Sequence, residues 1–143
     1  MSHDAPSIPE SAPRWVMGID AGGTKIAGGV VDLRTGEIGL KRIVPTVPER
    51  GAAALEDALA LADWLKAEGE ARGMIPTRIG LGVPELVDQA GRITSSDVIH
   101  WRDLPVQERF DAILPTIIES DVRAAALAEA HAGAGQPYSL FAY

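Results

Sequence analysis

The stretch Gly18-Ile19-Asp20-Ala21-Gly22-Gly23-Thr24-Lys25 decides the fold of this chain, because it joins two apolar runs. Residues 15–19 and 26–31 are predicted to be strands, with a tight turn between them. Two consecutive glycines let a bulky group approach the backbone, and N–H groups there can point at an anion. With Asp20 ending the first strand and Lys25 following the turn, the pattern is typical of a corner that holds phosphate and a metal ion.

Two similar phosphate-binding motifs do not fit this turn. The dinucleotide-binding fingerprint requires glycine where Asp20 stands. In the P-loop order, Thr24 and Lys25 would be exchanged and a helix would follow, whereas the next residues are glycine-rich and β-branched. The pattern therefore predicts a hairpin. Locally, a phosphate-binding turn and an ordinary glycine-containing hairpin turn remain open as alternatives.

Composition limits the class of protein. The chain has 143 residues, 46% of them hydrophobic, which is enough for one domain with a buried core. A net charge of −7 without a basic stripe argues against a nucleic-acid partner. Cysteine is absent and the three histidines are far apart, so we expect no metal site built from them. We expect no membrane partner either, because no apolar run is long enough to span a bilayer.

The order of predicted elements indicates an α/β fold. Residues 1–13, rich in proline and without an apolar signal core, are expected to be a flexible lead-in, and a cytoplasmic location is the default. The elements that follow are strands at 15–19, 26–31 and 38–44, a helix at 51–73, a strand at 78–83, a small hairpin at 86–94, a short helix at 105–114, a strand at 116–120 and a helix at 121–132. This order predicts a mixed sheet, in which a three-strand meander is followed by parallel crossovers flanked by helices. Because residues 138–143 begin a strand-like run and stop, we expect the chain to be part of a longer protein.

Three positions could carry chemistry, and each has a purely structural alternative. Asp121 lies where a strand ends and a helix begins, so it could be a helix N-cap or could accept a proton from a substrate hydroxyl. Glu119 precedes it by two residues and would face the same side if the strand continues to Asp121. Glu85 could be a solvated loop residue or a ligand, and Trp101 could be a packing anchor or a surface for stacking.

Several motifs together resemble the ROK family of bacterial sugar kinases and sugar-responsive repressors. The match covers the chain from about Trp15 onward and includes Gly18-Ile19-Asp20-Ala21-Gly22-Gly23-Thr24-Lys25, Gly82-Val83-Pro84, Val87-Asp88, Gly91-Arg92, Trp101-Arg102-Asp103 and Asp121-Val122-Arg123-Ala124-Ala125-Ala126-Leu127-Ala128-Glu129. The resemblance implies an actin-like ATPase (ribonuclease H-like) fold in two lobes, with ATP and a sugar bound in the cleft. Residues 14–143 would be the N-terminal lobe alone and would be inactive without the C-terminal lobe.

The resemblance also implies roles for individual residues. The ATP phosphates would contact the turn residues, which are Gly22, Gly23, Thr24 and Lys25. Asp20 would lie near Mg²⁺, and Asp121 would be the catalytic base that deprotonates a sugar hydroxyl. The family's zinc site would lie beyond Tyr143. Because the cleft face would be exposed, we expect a homo-oligomer.

Three departures from the family pattern fall at or near the expected sugar site. Glu85 stands where the family usually has glycine, Ser120 where it has asparagine, and Asp97-Val98 where it often has Pro-Asn. The candidate substrate-binding residues are therefore Glu85, Ser120 and Asp121, and the departures predict a sugar other than plain glucose. Two alternatives remain, which are a sugar-sensing family member without catalysis and an actin-like ATPase lobe with a non-sugar partner.

Overall fold

The computed structural model describes residues 12–138 and contains the predicted order of helices and strands. The elements are β1 (Trp15–Ala21), β2 (Lys25–Asp32), β3 (Ile38–Pro45), α1 (Gly51–Ala71), β4 (Ile79–Val83), α2 (Val106–Asp111), β5 (Thr116–Ser120) and α3 (Asp121–Ala132). The bounds of β5 and α3 are those predicted. The first long helix ends earlier than predicted, because Gly73 at φ 75° reverses the chain after Ala71.

The described strands form one mixed sheet in the order β3-β2-β1-β4-β5. β1 pairs with β2, and β2 with β3, in antiparallel orientation. β4 lies parallel to β1, and β5 lies parallel to β4. The predicted meander followed by parallel crossovers is therefore confirmed. This arrangement brings the carboxyl ends of β1, β4 and β5 to the same edge of the sheet, where ligands of open α/β sheets bind.

The hydrophobic core lies between one face of the sheet and α1. In β1 the buried residues Met17, Ile19 and Ala21 alternate with Gly18 and Asp20, which point to the other face. The helix packs against this core through the residues Ala54, Leu55, Ala58, Leu59, Leu61, Ala62, Leu65 and Gly69. Burial of these side chains is the main force that fixes the sheet against the helix.

α3 covers its side of the sheet only in part, although its alanine-rich sequence would allow close packing. It contacts β4 and β5, but none of its residues is buried. Val122 and Leu127 are exposed, as is Ile117 of the neighbouring strand. Within residues 12–138 this side of the sheet is consequently less covered than the side that faces α1.

The remaining predictions concern the loops and the termini. The predicted hairpin at 86–94 is reduced to a single antiparallel bridge between Val87 and Ile93, with Gly91 at φ 79° in the turn. Tyr138 is exposed and lies outside the strands. The rest of the predicted strand-like run and residues 1–11 of the lead-in lie outside the described residues. No helix in the described part of the chain is long and apolar enough to cross a membrane.

Candidate functional site

The glycine turn between β1 and β2 is fixed by hydrogen bonds that leave two amides available. The Gly22 N–H donates to the Lys25 carbonyl at 2.9 Å. Thr46, which directly follows β3, donates a hydrogen bond from its hydroxyl to the Gly22 carbonyl at 2.6 Å and one from its N–H to the Thr24 carbonyl at 3.0 Å. The N–H groups of Gly23 and Thr24 have no acceptor among residues 12–138. Two free amides beside Lys25 suit an anion such as phosphate.

The segment 95–100 lies close to this turn. A Cβ built on Gly23 would be only 2.8 Å from Cγ1 of Val98, so a larger residue at position 23 would force the two segments apart. Glycine at position 23 avoids this close contact. The same contact places Val98, at one of the positions where the sequence departs from the family pattern, directly against the glycine turn.

Asp20 and Asp121 meet at one end of the sheet. The parallel register pairs Asp20 of β1 with Gly82 of β4, and Gly82 with Glu119 of β5. A Cβ built on Gly82 would lie 3.7 Å from Asp20 Oδ1 and 4.0 Å from Asp121 Cα. Both aspartates, Gly82 and Glu119 line one cavity of about 710 Å³. β5 ends at Ser120, so the strand does not continue to Asp121 as the expectation for Glu119 required, but Glu119 and Asp121 still line the same cavity.

The electrostatics of this cavity favour a bound cation. Partial burial and, to a smaller extent, the Asp121 carboxylate raise the pKa of Asp20, while the Lys25 ammonium acts in the opposite direction. Two carboxylates that repel each other are stabilised by a cation placed between them. Among the described residues no group of three or more histidine, cysteine or acidic side chains is positioned to hold a metal by itself. Mg²⁺ needs fewer protein ligands, since it is often bound by one or two carboxylates together with substrate phosphates.

The local structure leaves Asp121 available for chemistry. Ser120, and not Asp121, is the N-cap of α3: its hydroxyl accepts the Arg123 N–H at 3.3 Å. The purely structural alternative for Asp121, the N-cap role, is therefore wrong. One carboxylate oxygen of Asp121 accepts the Val122 N–H at 2.7 Å, and its other oxygen has no donor within residues 12–138. A carboxylate with one free oxygen facing a cavity can accept a proton.

Glu119 is held more firmly than Asp121. Its Oε1 accepts the Ser120 N–H at 2.7 Å and the Arg123 Nε–H at 2.7 Å. Arg123 in turn donates to the Val87 carbonyl at 2.6 Å. These contacts tie the start of α3 to the loop after β4 and help to fix the position of Asp121.

Glu85 is buried and anchors the segment 95–100. With only 4% of its surface exposed, it accepts the Ser95 hydroxyl at 2.5 Å and, at 2.9 to 3.3 Å, the backbone N–H groups of Asp97, Val98, Ile99 and His100. Burial alone would raise the pKa of Glu85, but the hydrogen bonds from Ser95 and the backbone outweigh it and lower the pKa to about 2. The alternative of a solvated loop glutamate is wrong. Both carboxylate oxygens are directed to this segment, so the structure gives Glu85 a positioning role.

Trp101 is a packing anchor, as its structural alternative predicted. It is fully buried, and its indole N–H donates to the Gly51 carbonyl at 3.0 Å. Trp101 thereby attaches the end of the segment 95–100 to the start of α1. A stacking role with a ligand would need an accessible ring face, which this residue does not have.

Arg50 also lies beside the glycine turn, although no sequence pattern identified it. Its Nη1 donates to the Val98 carbonyl, and its Nη2 would be 3.6 Å from a Cβ built on Gly23. Arg50 comes from the loop before α1, and Val98 from the loop before α2. Only the folded structure brings these two loops to the turn.

The comparisons with known proteins agree with this geometry. The model of the ROK family matches residues 16–143. A glucokinase from Streptomyces coelicolor is 36% identical over 124 residues, which are 84% of this chain and 37% of that protein. The chain thus spans less than two-fifths of the length of this curated relative.

Solved structures show the same likeness. One is a ROK family glucokinase from Streptomyces griseus in complex with glucose and AMPPNP, which is 34% identical in sequence and superposes with a TM-score of 0.70. The match covers 85% of this chain and 38% of the glucokinase chain. Another is a ROK family transcriptional regulator, a homologue of the E. coli MLC protein, with a TM-score of 0.73. This match covers 87% of this chain and 32% of the regulator's chain. At 21% identity, this second likeness shows the fold alone. The ROK sugar kinases among these neighbours have the actin-like ATPase fold, and this chain shares it.

Proposed function

Because the chain belongs to the ROK family, we propose that the complete protein is an ATP-dependent kinase of hexose-type sugars, with residues 14–143 as its N-terminal lobe. One observation carries the proposal: Asp121 and Asp20 line the same cavity beside Gly82, and Asp20 precedes the Gly22-Gly23 turn by two residues. Transfer of a phosphoryl group to an alcohol needs a phosphate donor and a general base close to each other in one site. The glucose and AMPPNP bound by the Streptomyces griseus glucokinase support the same pair of ligands here.

In the proposed reaction the turn holds the phosphates of ATP. The free N–H groups of Gly23 and Thr24, with the Lys25 ammonium, bind the phosphate oxygens. Asp20 is the residue that would hold Mg²⁺, which supplies charge neutralisation when it is bound with the nucleotide. Asp121 is proposed to complete the site from the start of α3.

Asp121 is the proposed general base. Its free carboxylate oxygen accepts the proton of a sugar hydroxyl while that hydroxyl oxygen forms a bond to the γ-phosphorus. The bond between the γ-phosphorus and the bridging oxygen breaks, and ADP leaves with the electron pair. Such transfer depends mainly on positioning and on neutralisation of phosphate charge, so the base supplies only a part of the rate enhancement.

Ser120 and the segment 95–100 are proposed to shape the sugar site. Ser120 caps α3 with its hydroxyl, so that hydroxyl is already engaged with the Arg123 N–H. Val98 has no polar side chain, and Glu85 directs both oxygens to the backbone of its own loop. Ser120 and Val98 offer fewer side-chain hydrogen bonds to a sugar than the asparagines that the family pattern has at these two positions. We therefore propose a hexose other than glucose as the preferred acceptor.

The apolar side chain of Val98 also favours a second candidate, which is sugar sensing without catalysis. A sensor needs to bind its sugar but has no requirement for the geometry of transfer. The ROK transcriptional regulator shows that this fold accommodates a regulatory role in another protein. The two candidates differ in whether ATP is consumed when sugar binds.

The test is phosphorylation by the complete protein. We expect that purified protein with MgATP and a panel of aldohexoses, N-acetylhexosamines and non-sugar alcohols releases ADP with at least one sugar and forms an equimolar sugar phosphate, measured by mass spectrometry. Sugar binding in calorimetry without any ADP release would support the sensor. Phosphorylation of only a non-sugar acceptor would show that the fold serves another substrate.

A further inference from the structure

The turn has a second cationic neighbour besides Lys25. The guanidinium of Arg50 donates from Nη1 to the Val98 carbonyl, and its Nη2 and Cζ would lie 3.6 and 3.7 Å from a Cβ built on Gly23. The guanidinium therefore lies beside Gly23, on the side of the turn that Val98 also contacts. An anion bound by the free N–H groups of Gly23 and Thr24 would have this guanidinium as a neighbour.

The charge of Arg50 has no partner in the described structure. No carboxylate among residues 12–138 lies within ion-pair distance of it, whereas other arginines such as Arg14, Arg72 and Arg109 each form an ion pair. Only one of the five N–H donors of its guanidinium has an acceptor in this range. A half-buried guanidinium with unused donors beside an anion-binding turn is suited to phosphate, which arginine binds with two donors at once.

The surrounding structure holds this side chain in place. The carbonyl of Val98 fixes one edge of the guanidinium, and the N–H of Val98 is fixed in turn by Glu85 at 2.9 Å. The backbone of Arg50 has φ 51° and ψ −150°, a conformation that is nearly restricted to glycine. Glycine would relieve this backbone strain, so the presence of arginine here is best explained by its side chain.

We propose that Arg50 is a phosphate ligand of the nucleotide site, which binds the terminal phosphates of ATP together with Lys25 and the free amides of the turn. Glu85 acts as its positioning residue through Val98. This inference rests on the proposed function for the presence of a nucleotide, but it concerns a residue outside the sequence motifs.

The test is ligand binding to the complete protein in which Arg50→Gly removes the side chain without adding backbone strain. We expect the Kd of MgATP and of inorganic tripolyphosphate to rise about 10- to 100-fold, because a charge-assisted hydrogen bond is lost. The Kd of adenosine should stay within about twofold. Arg50→Lys should recover a part of the affinity, since it restores the charge without the two parallel donors of the guanidinium. The matched control is Arg72→Ala, which removes the same charge at the other end of α1.

Each outcome decides a different question. If wild-type protein binds neither MgATP nor tripolyphosphate, the proposed function fails. If the wild type binds MgATP and Arg50→Gly binds MgATP and tripolyphosphate equally well, the proposed function stands and the role of Arg50 is refuted. If Arg50→Gly changes the Kd of the sugar or the melting temperature and leaves tripolyphosphate binding unchanged, Arg50 serves only to hold Val98, and the proposal is likewise refuted.

Discussion

Asp20 and Asp121 lie on two sides of Gly82 on the same face of the sheet, although Asp20 is the last residue but one of β1 and Asp121 begins α3. A Cβ at position 82 would be 3.7 Å from Asp20 Oδ1 and 4.0 Å from Asp121 Cα. The relation follows from topology, because β4 lies between β1 and β5 and is parallel to both. Any cation held by one aspartate is therefore close to the other.

Gly82→Ala tests whether the space between the two aspartates is used. The added methyl group makes only ordinary contacts, so the fold should be kept, but it narrows the gap next to Asp20. We expect kcat of the complete protein for the proposed phosphate transfer to fall about 10- to 100-fold, as is usual for small misplacements of reacting groups. Gly80→Ala is the matched control, since a Cβ at position 80 of the same strand would meet no atom within 4 Å. Equal losses in both variants would mean that the effect comes from β4 in general.

Asp20→Asn tests the proposed place of Mg²⁺. Removal of the charge weakens metal binding, so the Mg²⁺ concentration for half-maximal activity should rise about tenfold or more. Because Asp121 contributes to the raised pKa of Asp20, the variant should also relieve repulsion and should not destabilise the fold. Initial rates across a Mg²⁺ titration at fixed ATP measure the effect, with exposed Asp63→Asn of α1 as the control. An unchanged Mg²⁺ dependence would exclude Asp20 as a ligand.

Glu85→Gln tests the anchoring of the segment 95–100. The pKa of Glu85 in the folded protein is about 2, below its ordinary value of 4.5, so the ionised carboxylate stabilises the fold above pH 4.5. That stabilisation is lost as the pH falls from 4.5 toward 2. At pH 7 the variant should lose about 2–3 kcal/mol of unfolding free energy, and the difference from wild type should shrink near pH 3.

The measurement for Glu85 is urea unfolding at pH 7 and at pH 3. Glu68→Gln is the control, because Glu68 pairs with Arg72 on the surface and such pairs contribute less than about 1 kcal/mol. If Glu85→Gln and Glu68→Gln unfold at the same urea concentration at pH 7, the anchoring role is incorrect.

Regular elements of this chain could be predicted from sequence because their signals are local. Thr116–Ser120 and Asp121–Ala132 have the predicted bounds, since an apolar β-branched run is followed directly by an alanine-rich helix with a serine cap. The turn at Gly22-Gly23 was also identified locally. The meander and the parallel crossovers follow from the order of elements and the short connections.

The roles of Glu85 and Arg50 could not be predicted, because they depend on irregular segments that meet only in the folded chain. From its position after β4, Glu85 could be an exposed loop residue. In the structure its carboxylate oxygens accept the backbone N–H groups of residues 97–100, and this segment has no periodic sequence pattern that would predict the contact. Arg50 precedes a helix and meets the turn through Val98. The departures from the family pattern at Glu85 and Val98 were the one available sequence signal for this region, and the direct sugar contacts that they suggested stay a prediction.

The most direct test of the whole account is Asp121→Asn in the complete protein. Transfer of the γ-phosphate from labelled MgATP to the preferred sugar should fall about 10²- to 10⁴-fold, while sugar binding and the melting temperature stay close to wild type. That result is expected because asparagine keeps the size of the side chain and cannot accept the hydroxyl proton. Undiminished transfer by Asp121→Asn would contradict the assignment of Asp121 as the base.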